Sequence, residues 1–472
     1  MKIRVLVLLL ALSSLPLAAQ QSIEPRTSNP ESRVPSPESR VPNPESRVLE
    51  VPYRQFTLAN GLNVILHQDK SVPIVAVNLW YHVGSANERP GRTGFAHLFE
   101  HLMFEGSGHV KEGEFDTLLE SAGGDNNGST QNDRTNYVID VPSNALELAL
   151  FLESDRMGYL LDTMSPDRVN GQRDVVKNER RQSYENRPYG MASIALDEML
   201  WPDGHPYRWP TIGSMEDLTA ASYEDVVGFF KKYYVPNNAS LVIAGDIDFD
   251  RTQALAQKWF GDIPRGAPVE PVAPPAAMLT SVKKKTLTDR VELSRLYLGW
   301  LTPRLYQPGD ASLDVASYIL AGGKNSRLYK RLVYDTQMVQ DVMAVQQSAA
   351  LGGSFLVVAT ARPGKPIADI QKVIDEEIDR LRREPPDERE LQRAKNQIEA
   401  GFYRQMERVG GFSGKANQLN AYFDYAGGDP DYFAEDLARY TSLSPSDIRA
   451  AALQFLPPDR RVELVVEPEK KQ

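Results

Sequence analysis

A proline-dense segment divides this chain and most constrains how it can fold. The stretch RGAPVEPVAPPAAMLTS, residues 265–281, has little hydrophobic periodicity. Proline cannot donate a main-chain hydrogen bond and does not continue a helix, so this segment is predicted to link two folded parts. Each part is about 200 residues long, which is an ordinary size for a domain.

The order of predicted elements repeats loosely on the two sides of this linker. Before it, YRQFTLANGLNVILHQD is typical of a hairpin with a tight turn at Asn60-Gly61, and a buried strand follows. Helical patterns then cover about 93–105, 112–122, 143–161 and 165–186. After the linker come a strand, a helix at ASLDVASYILAGG, a helix at NSRLYKRLVYD, a strand at GSFLVVATA and long helices. The predicted fold class is α/β (α+β), with two similar halves, each a mainly antiparallel sheet with helices packed on it.

The N-terminus carries a predicted export signal and a spacer. MKIRVLVLLLALSSLPLAAQ has two basic residues, a short apolar run and small residues up to Ala19, which is typical of a signal peptide over residues 1–19. An uncleaved membrane anchor is the alternative. Residues 20–50 contain the seven-residue repeat PESRVPSPESRVPNPESRV, whose prolines predict a disordered spacer. The chain is therefore expected to be exported, with the periplasm as its compartment.

Composition excludes several functions. The net charge is −10 and no long run of Lys or Arg occurs, which argues against nucleic acid as a partner. The chain has no cysteine, so disulfides and a catalytic thiol are excluded. Hydrophobic residues make up 41% of the chain, which is enough to build cores.

The stretch GFAHLFEHLMFEG, residues 94–106, contains a candidate metal site. On a helix, His97, Glu100 and His101 fall within an arc of about 100°, so their side chains can face one point. Two imidazoles and one carboxylate are a known catalytic zinc set that leaves a position open for water. Glu100 would then be the base that takes a proton from that water. The alternative is that these residues only occupy the surface of a helix.

Four other histidines are metal-ligand candidates by residue type alone. These are His67, His82, His109 and His205. Their spacing fits no metal-ligand set, so surface positions or packing in the core are the favoured interpretation.

The metal motif lies within a longer pattern that resembles a known family. The pattern begins with GSANERPGRTGFAHLFEHLMFEGS. Four further segments follow in the order that the family shows: GGDNNGSTQNDRTNYVIDVP, VVKNERRQSYENRPYG, HPYRWPTIGS and YYVPNNASLVIAGD. In the second half, LAGGKNSRLYKRLV resembles the start of the family's repeated domain. Over about residues 50–465 the chain resembles the inverzincins, the zinc metallopeptidase family of pitrilysin, insulin-degrading enzyme and the mitochondrial processing peptidase. The resemblance implies two homologous halves that face each other around a closed chamber.

The resemblance also implies roles for individual residues. His97 and His101 correspond to zinc ligands, and Glu179, on a long polar helix, corresponds to the third. Glu100 corresponds to the general base that activates water. Gln172 falls where many members have a glutamate that supports the metal ligands from behind. One Zn²⁺ per chain is therefore expected.

A substrate-binding edge is implied in the same way. The segment Asn126 to Gln131 resembles the edge strand that receives an extended peptide by strand addition, and Asn127 corresponds to the family's substrate-binding asparagine. The alternative for Asn127 is an ordinary turn residue. Main-chain hydrogen bonding at such an edge suits peptides of varied sequence.

The second half departs from the family's pattern. Single-chain members have an arginine and a tyrosine there that reach the substrate near zinc, but in KRLVYDTQMVQDVMAV these positions are Val333 and Gln340. Arg331 and Tyr334 lie nearby and do not restore the pair at its spacing. The resemblance therefore implies a zinc-bearing subunit that forms a homodimer, or a heterodimer with a metal-free homologous subunit that carries the Arg/Tyr pair.

The sequence thus predicts an exported zinc-dependent endopeptidase that hydrolyses unstructured peptides. Its expected parts are an N-terminal peptidase domain with the zinc site at 51–264, the linker at 265–281 and a C-terminal homologous domain at 282–472. The alternatives are a non-catalytic assembly subunit and a metal-binding subunit of the same fold.

Overall fold

The structure of the protein is a computed structural model that describes residues 51–470. The predicted signal peptide at 1–19 and the predicted spacer at 20–50 lie outside the described residues. Within the described part, no helix combines the length and the apolar character that a bilayer crossing requires.

The first half is built on a six-stranded sheet of order β1-β2-β6-β3-β5-β4. Its strands are β1 (Arg54–Thr57), β2 (Asn63–Gln68), β3 (Ile74–Tyr81), β4 (Asp125–Thr130), β5 (Thr135–Pro142) and β6 (Ala239–Gly245). Its helices are α1 (Phe95–Leu102), α2 (Glu114–Ser121), α3 (Leu146–Tyr159), α4 (Pro166–Arg180), α5 (Met191–Leu200), α6 (Met215–Ala220), α7 (Tyr223–Tyr233) and α8 (Phe249–Phe260). Neighbouring strands are antiparallel except for β2 and β6, which are parallel.

The second half repeats this arrangement with a five-stranded sheet of order β7-β11-β8-β10-β9. Its strands are β7 (Lys283–Asp289), β8 (Arg295–Thr302), β9 (Val339–Ser348), β10 (Gly353–Ala361) and β11 (Val462–Pro468). Its helices are α9 (Asp310–Ala321), α10 (Ile367–Arg383), α11 (Glu388–Met406), α12 (Lys415–Tyr425), α13 (Phe433–Thr441) and α14 (Pro445–Phe455). One pair, β7 and β11, is parallel and the other pairs are antiparallel. The predicted fold class is confirmed.

Both faces of the central strands are buried, which explains their long apolar runs. In β3, the side chains of Val75, Val77, Leu79 and Tyr81 enter a core shared with the helices of the first half. The alternate residue Trp80 faces the opposite side and is also buried. The sheet therefore needs a cover on its second face.

Each half supplies that cover to the other half. Helix α5 packs on β8 and β11 of the second sheet, and α12 packs on β3 and β6 of the first. The contact at α12 is polar at its centre: Asn420 accepts a hydrogen bond from the Ser240 hydroxyl at 2.6 Å and donates to the Asn78 main-chain oxygen at 2.9 Å. These exchanged helices cover the inner sheet faces, and the closed chamber between the two halves stays a prediction.

Candidate metal centre

The helix that carries the motif is α1, and its two faces have different composition. Phe95, Leu98, Phe99 and Leu102 are buried in the core of the first half. With 3.6 residues per turn, His97, Glu100 and His101 must lie on the opposite side of the helix. The helix-based expectation for these three residues therefore holds in the structure.

The start of α1 is fixed by carboxylates from outside the helix. Both oxygens of Glu88 accept main-chain N–H groups, from Gly94 and from Ala96, each at 2.9 Å. Asp217 accepts from the Thr93 main chain at 3.0 Å and from its hydroxyl at 2.6 Å. These N–H groups have no partner within the helix, so the side-chain oxygens supply the acceptors that they need. Burial raises the pKa of Glu88 to about 8.

Helix α4 brings the third candidate ligand to the motif. It begins at a cap in which the Ser165 hydroxyl accepts from the Arg168 main chain, and proline occupies its first turn. Near its end, Glu179 faces α1, while the neighbouring Arg180 donates to the main-chain oxygen of Gly213 at 2.5 Å. Gly213 lies against Gly94, which precedes α1. The end of α4 and the start of α1 are thus joined through one loop.

Three candidate ligand atoms converge between the two helices. Oε2 of Glu179 lies 3.6 Å from Nε2 of His97 and 3.3 Å from Nε2 of His101. All three ligand atoms lie within 4.8 Å of one another, and they form the group of potential metal ligands found among residues 51–470. The structure therefore brings together the three residues that the family resemblance assigns to zinc.

The spacing and surroundings of these atoms fit a zinc ion. Ligand atoms at about 2.0–2.1 Å from a tetrahedral zinc ion lie about 3.4 Å from each other, close to the distances to Glu179. Oε2 of Glu179 is buried and has no hydrogen-bond donor among the described residues. A buried carboxylate oxygen without a donor is costly unless a cation is present. His97, His101 and Glu179 are thus suited to hold the metal.

The protonation states of His97 and Glu179 suit a metal ion, whereas His101 must lose a proton before it can bind one. Burial lowers the pKa of His97, which favours the neutral imidazole that a metal requires. Burial also acts against the charged form of His101, but the contact with Glu179 and the charge of Glu100 outweigh it and raise the pKa. For Glu179, burial is outweighed by the two imidazoles, so its pKa is lowered and the carboxylate stays ionised.

Gln172, the predicted support of the metal site, lies on α4 near His101, and its role stays a prediction. Its side chain is buried on α4, and its amide nitrogen donates to Oε1 of Glu105 at 2.7 Å. Its remaining group, the amide oxygen, is the acceptor that can bond the His101 ring, and that hydrogen bond contributes to the raised pKa of His101. An acceptor on the second ring nitrogen orients a histidine ligand.

Glu100 is held by strand β4. The Thr130 hydroxyl donates to Oε2 of Glu100 at 2.6 Å. Gly128 lies directly beneath Glu100, because a Cβ atom at position 128 would come within 2.9 Å of Cγ of Glu100. Neither residue was a sequence prediction, and the same is true of Glu88. Their contacts join segments far apart in the chain, so residue spacing gave no signal for them.

Asn127 lies on β4, the outermost strand of the first sheet. Its side-chain oxygen accepts from the main chain of Gly128 at 2.9 Å. Since side chains alternate along a strand, Asn127 is directed away from the face on which Gly128 and Thr130 meet Glu100. The outer edge of β4 has no neighbouring strand among the described residues. Its substrate role stays a prediction.

The other four histidines have protein partners of their own. The partners are the Pro52 carbonyl for His67, Asp424 for His82, Asp155 for His109 and the Trp201 ring for His205. None of the four belongs to a group of three potential ligands in the part of the chain that the structure describes.

The positions of the expected arginine and tyrosine hold neither residue. Val333 packs against the core of the second half, and Gln340 is exposed on β9. The nearby Arg331 is engaged by Glu376 at 2.7 Å and by Glu377 at 2.8 Å. The guanidinium of Arg331 is thus bound to two carboxylates of α10 and is not available to a substrate.

Known proteins resemble the chain along most of its length. Zinc protease PqqE of Helicobacter pylori is 29% identical over 421 residues, which are 86% of this chain and 93% of the relative. An uncharacterized zinc protease of Mycobacterium leprae is 28% identical over 348 residues, 73% of this chain and 77% of the relative. Among solved structures, a protease from Helicobacter pylori matches with a TM-score of 0.82 and 26% identity, over 89% of this chain and 100% of that one.

A structure of the first half of the periplasmic protease PqqL from Escherichia coli has the same fold, with a TM-score of 0.73 and 18% identity over 88% of this chain and 91% of that one. Two family models match: Insulinase (Peptidase family M16) over residues 63–200, and Peptidase M16 inactive domain over residues 220–398. Together the models match more than half of the chain. The chain belongs to peptidase family M16, a family of zinc metallopeptidases.

Proposed function

We propose that this protein is an exported zinc-dependent endopeptidase that hydrolyses unstructured peptides. One observation carries the proposal: His97, His101 and Glu179 converge on one point, and Glu100 is held beside them by an open edge strand. A metal-binding role alone would require the three ligands. It would not require a fourth carboxylate fixed at the same place.

In the proposed reaction, zinc would polarise the scissile carbonyl and lower the pKa of the attacking water. Glu100 takes a proton from that water and delivers it to the leaving amine. The Thr130 hydroxyl holds one oxygen of Glu100, so the other oxygen is left to receive the proton. Gln172 holds the ring of His101 from behind, which keeps the ligand set in place while the substrate changes.

The substrate is proposed to bind as an added strand along the outer edge of β4. This edge offers main-chain N–H and C=O groups next to Glu100, and main-chain pairing accepts many sequences. An extended segment can pair in this way, whereas a folded segment has already used its main-chain groups. This supports unstructured peptides as the substrate class, with Asn127 as a candidate contact.

The chain is also proposed to work as a dimer. It has neither the arginine nor the tyrosine that single-chain members place near the metal. A second subunit facing β4 would supply both a wall and electrophilic side chains, each worth several kcal/mol at a developing negative charge. That subunit is either a second copy or a metal-free homologue with the Arg/Tyr pair.

The proposed location is the periplasm. It rests on the signal-like residues 1–19 and the repeat spacer at 20–50, both outside the described residues. Fractionation of cells that express the full chain tests this proposal. Recovery of the protein in the cytoplasm with residues 1–19 intact would contradict it.

Replacement of Glu100 by Gln tests the peptidase. The zinc-loaded wild type is expected to cleave a mixed set of quenched unstructured peptides, and Glu100→Gln is expected to lower the rate by about 100-fold or more while zinc stays bound. Glu120→Gln, an exposed change on α2, is the matched control and should have no effect. Equal rates in wild type and Glu100→Gln would exclude the proposed base.

The missing Arg/Tyr pair favours a second candidate, a metal-binding subunit without useful turnover. If the chain is such a metal-binding subunit, zinc binds to the isolated chain but no peptide is cleaved. Addition of a homologous subunit that carries the Arg/Tyr pair then separates a catalytic subunit, which becomes active, from an assembly subunit, which does not.

A further inference from the structure

A groove lined by arginines lies in the second half of the molecule. It is formed between α9 and α11 and has a volume of about 720 Å³. Arg389, Arg393 and Arg404 of α11 line it, and Tyr318 of α9 lies opposite. The other lining side chains are amides and one alanine, and no carboxylate is among them. This is an unusual surface for a chain of net charge −10.

The arginines belong to one face of α11. At 100° per residue, positions 389, 393 and 404 fall within an arc of about 60°. The opposite face of the helix carries Leu391 and Ala394, which are buried in the core of the second half. Packing of that apolar face therefore turns the three guanidinium groups toward the groove together.

These arginines have no acidic partner. Among the residues that the structure describes, no side chain of the three makes a hydrogen bond or an ion pair. Glu390, next to Arg389 in the chain, instead accepts two hydrogen bonds from Arg327, at 2.7 and 2.6 Å. The groove thus presents positive charge that the protein does not neutralise.

The groove occupies the place that the metal centre has in the first half. Helix α9 follows β8 as α1 follows β3, and α9 contacts α11 as α1 contacts α4. In the first half, the space between these helices holds His97, His101 and Glu179. In the second half, the corresponding helices present arginines and amides. Because arginines are positively charged, an anionic ligand is expected in this groove, in contrast to the cation expected in the first half.

We infer that this groove binds the carboxylate groups of an acidic peptide segment, as a contact for substrate remote from the metal centre. A guanidinium group matches a carboxylate with two parallel hydrogen bonds. The lining amides can bond the main chain of an extended peptide, and Tyr318 offers it an aromatic surface. That the ligand is a peptide rests on the proposed function.

Binding of a labelled oligoglutamate peptide tests the inference. Fluorescence anisotropy would be measured with the full, zinc-loaded chain carrying Glu100→Gln, so that the probe is not cleaved. The added double change Arg393→Gln and Arg404→Gln is expected to weaken binding by about tenfold or more, because each loses a charge-assisted hydrogen bond. Replacement of both arginines by Lys should restore binding in part.

The matched control is Arg449→Gln, which removes an exposed arginine of α14 outside the groove. It should change the affinity by less than about twofold. Equal binding of the oligoglutamate and an uncharged peptide, or equal affinities of the double variant and a variant with Arg449→Gln, would overturn the inference. Displacement of the probe by low concentrations of inorganic phosphate would identify a phosphate site and would overturn the peptide assignment.

Cleavage assays separate this inference from the proposed function. If the wild type cleaves an uncharged peptide but oligoglutamate binding does not depend on the arginines, the inference fails and the peptidase stands. If binding depends on the arginines but no peptide is cleaved even after addition of a subunit that carries the Arg/Tyr pair, the carboxylate site stands and the peptidase fails.

Discussion

At the scale of single residues, the site depends on how closely Glu100 approaches strand β4. Thr130 fixes one carboxylate oxygen, and Gly128 leaves room for the side chain above it. Glu100 is therefore positioned by a strand that follows it in the chain by about thirty residues. The position of a general base matters because small displacements can cost orders of magnitude in rate.

A methyl group at position 128 should disturb this arrangement. Its Cβ would lie 2.9 Å from Cγ of Glu100, so Gly128→Ala is expected to move the carboxylate and lower peptide hydrolysis by about tenfold or more, with zinc affinity unchanged. Gly171→Ala is the control, because nothing lies within 4 Å of the added atom on α4. Parallel measurements of hydrolysis and zinc affinity check it, and a normal rate in Gly128→Ala would contradict the account.

Residues close in sequence could be predicted, and distant ones could not. His97, Glu100 and His101 follow from the helical period alone. Glu179 could be assigned only through the family resemblance, because its approach to α1 depends on the packing of two helices. Glu88 and Thr130 were missed because carboxylates and hydroxyls are common on surfaces, and only the fold shows which of them face the metal helix.

At the scale of elements, α1 is short and its first turn depends on groups outside it. Gly94 and Ala96 donate to Glu88, and Thr93 is held by Asp217. A helix of this length has little stability of its own. The orientation of His97 and His101 therefore depends on the loop contacts that precede the helix.

Removal of the Glu88 carboxyl group should lower zinc affinity, although Glu88 is not itself a candidate metal ligand. Glu88→Ala leaves two buried N–H groups unpaired, which is expected to cost about 1–3 kcal/mol of unfolding free energy. Zinc affinity should fall as the start of α1 loosens, whereas Glu88→Gln retains one acceptor and should lose less. Denaturant unfolding and zinc titration check both variants. Zinc affinity unchanged in Glu88→Ala would show that this carboxylate does not position the helix.

The contact between strand β5 and the loop after α11 should make the free energy of unfolding depend on pH. Asp140 of β5 lies against the loop between α11 and α12, and burial together with the charge of Asp125 raises its pKa to about 6. The folded protein favours the protonated form of Asp140. The resulting contribution to the free energy of unfolding is therefore fully present below about pH 4 and is lost as the pH rises through about 6. The loss is about 3 kcal/mol at most.

Asp140→Asn isolates this contribution. The variant is expected to gain stability relative to the wild type at about pH 7.5 and to show little difference at about pH 4, because the amide cannot ionise. Urea unfolding at the two pH values checks the prediction. A wild type whose advantage over Asp140→Asn grows as the pH rises would contradict the sign.

Central strands with long apolar runs were predictable, and edge strands were less so. The strands β3 and β10 lie where apolar runs predict them, because both of their faces are buried. Neither β7 nor β9 was predicted, since their exposed polar residues resemble a loop. In NSRLYKRLVYD, the predicted helix has π-helical geometry over Tyr329–Asp335.

At the scale of the whole molecule, the two halves are interlocked. Helix α5 covers the second sheet and α12 covers the first, and the loop after α4 is also fastened to the second half. In that loop, the main chain of Tyr189 donates to Asp289 and its hydroxyl donates to the Leu293 carbonyl, each at 2.7 Å. The second half thus stabilises the helix that carries Glu179. No periodicity in the sequence indicates such an exchange.

The interlocked halves are expected to unfold together. Hydrogen exchange measured by mass spectrometry should give the same opening free energy for amides of β3 and β8. Asn420→Ala removes the acceptor of the Ser240 hydroxyl and the donor to the Asn78 side-chain oxygen, so it should lower both values by about 1–3 kcal/mol. Loss of protection in the first sheet alone would show that the halves are independent.

Zinc affinity shows whether α1 and α4 build one zinc site. Titration of the metal-free chain against a chelator is expected to show one bound zinc per chain and a loss of affinity of about 100-fold or more in Glu179→Ala. Asp174→Ala removes an exposed carboxylate from the same helix and should bind zinc like the wild type. Equal zinc affinity in Glu179→Ala and Asp174→Ala would contradict the account.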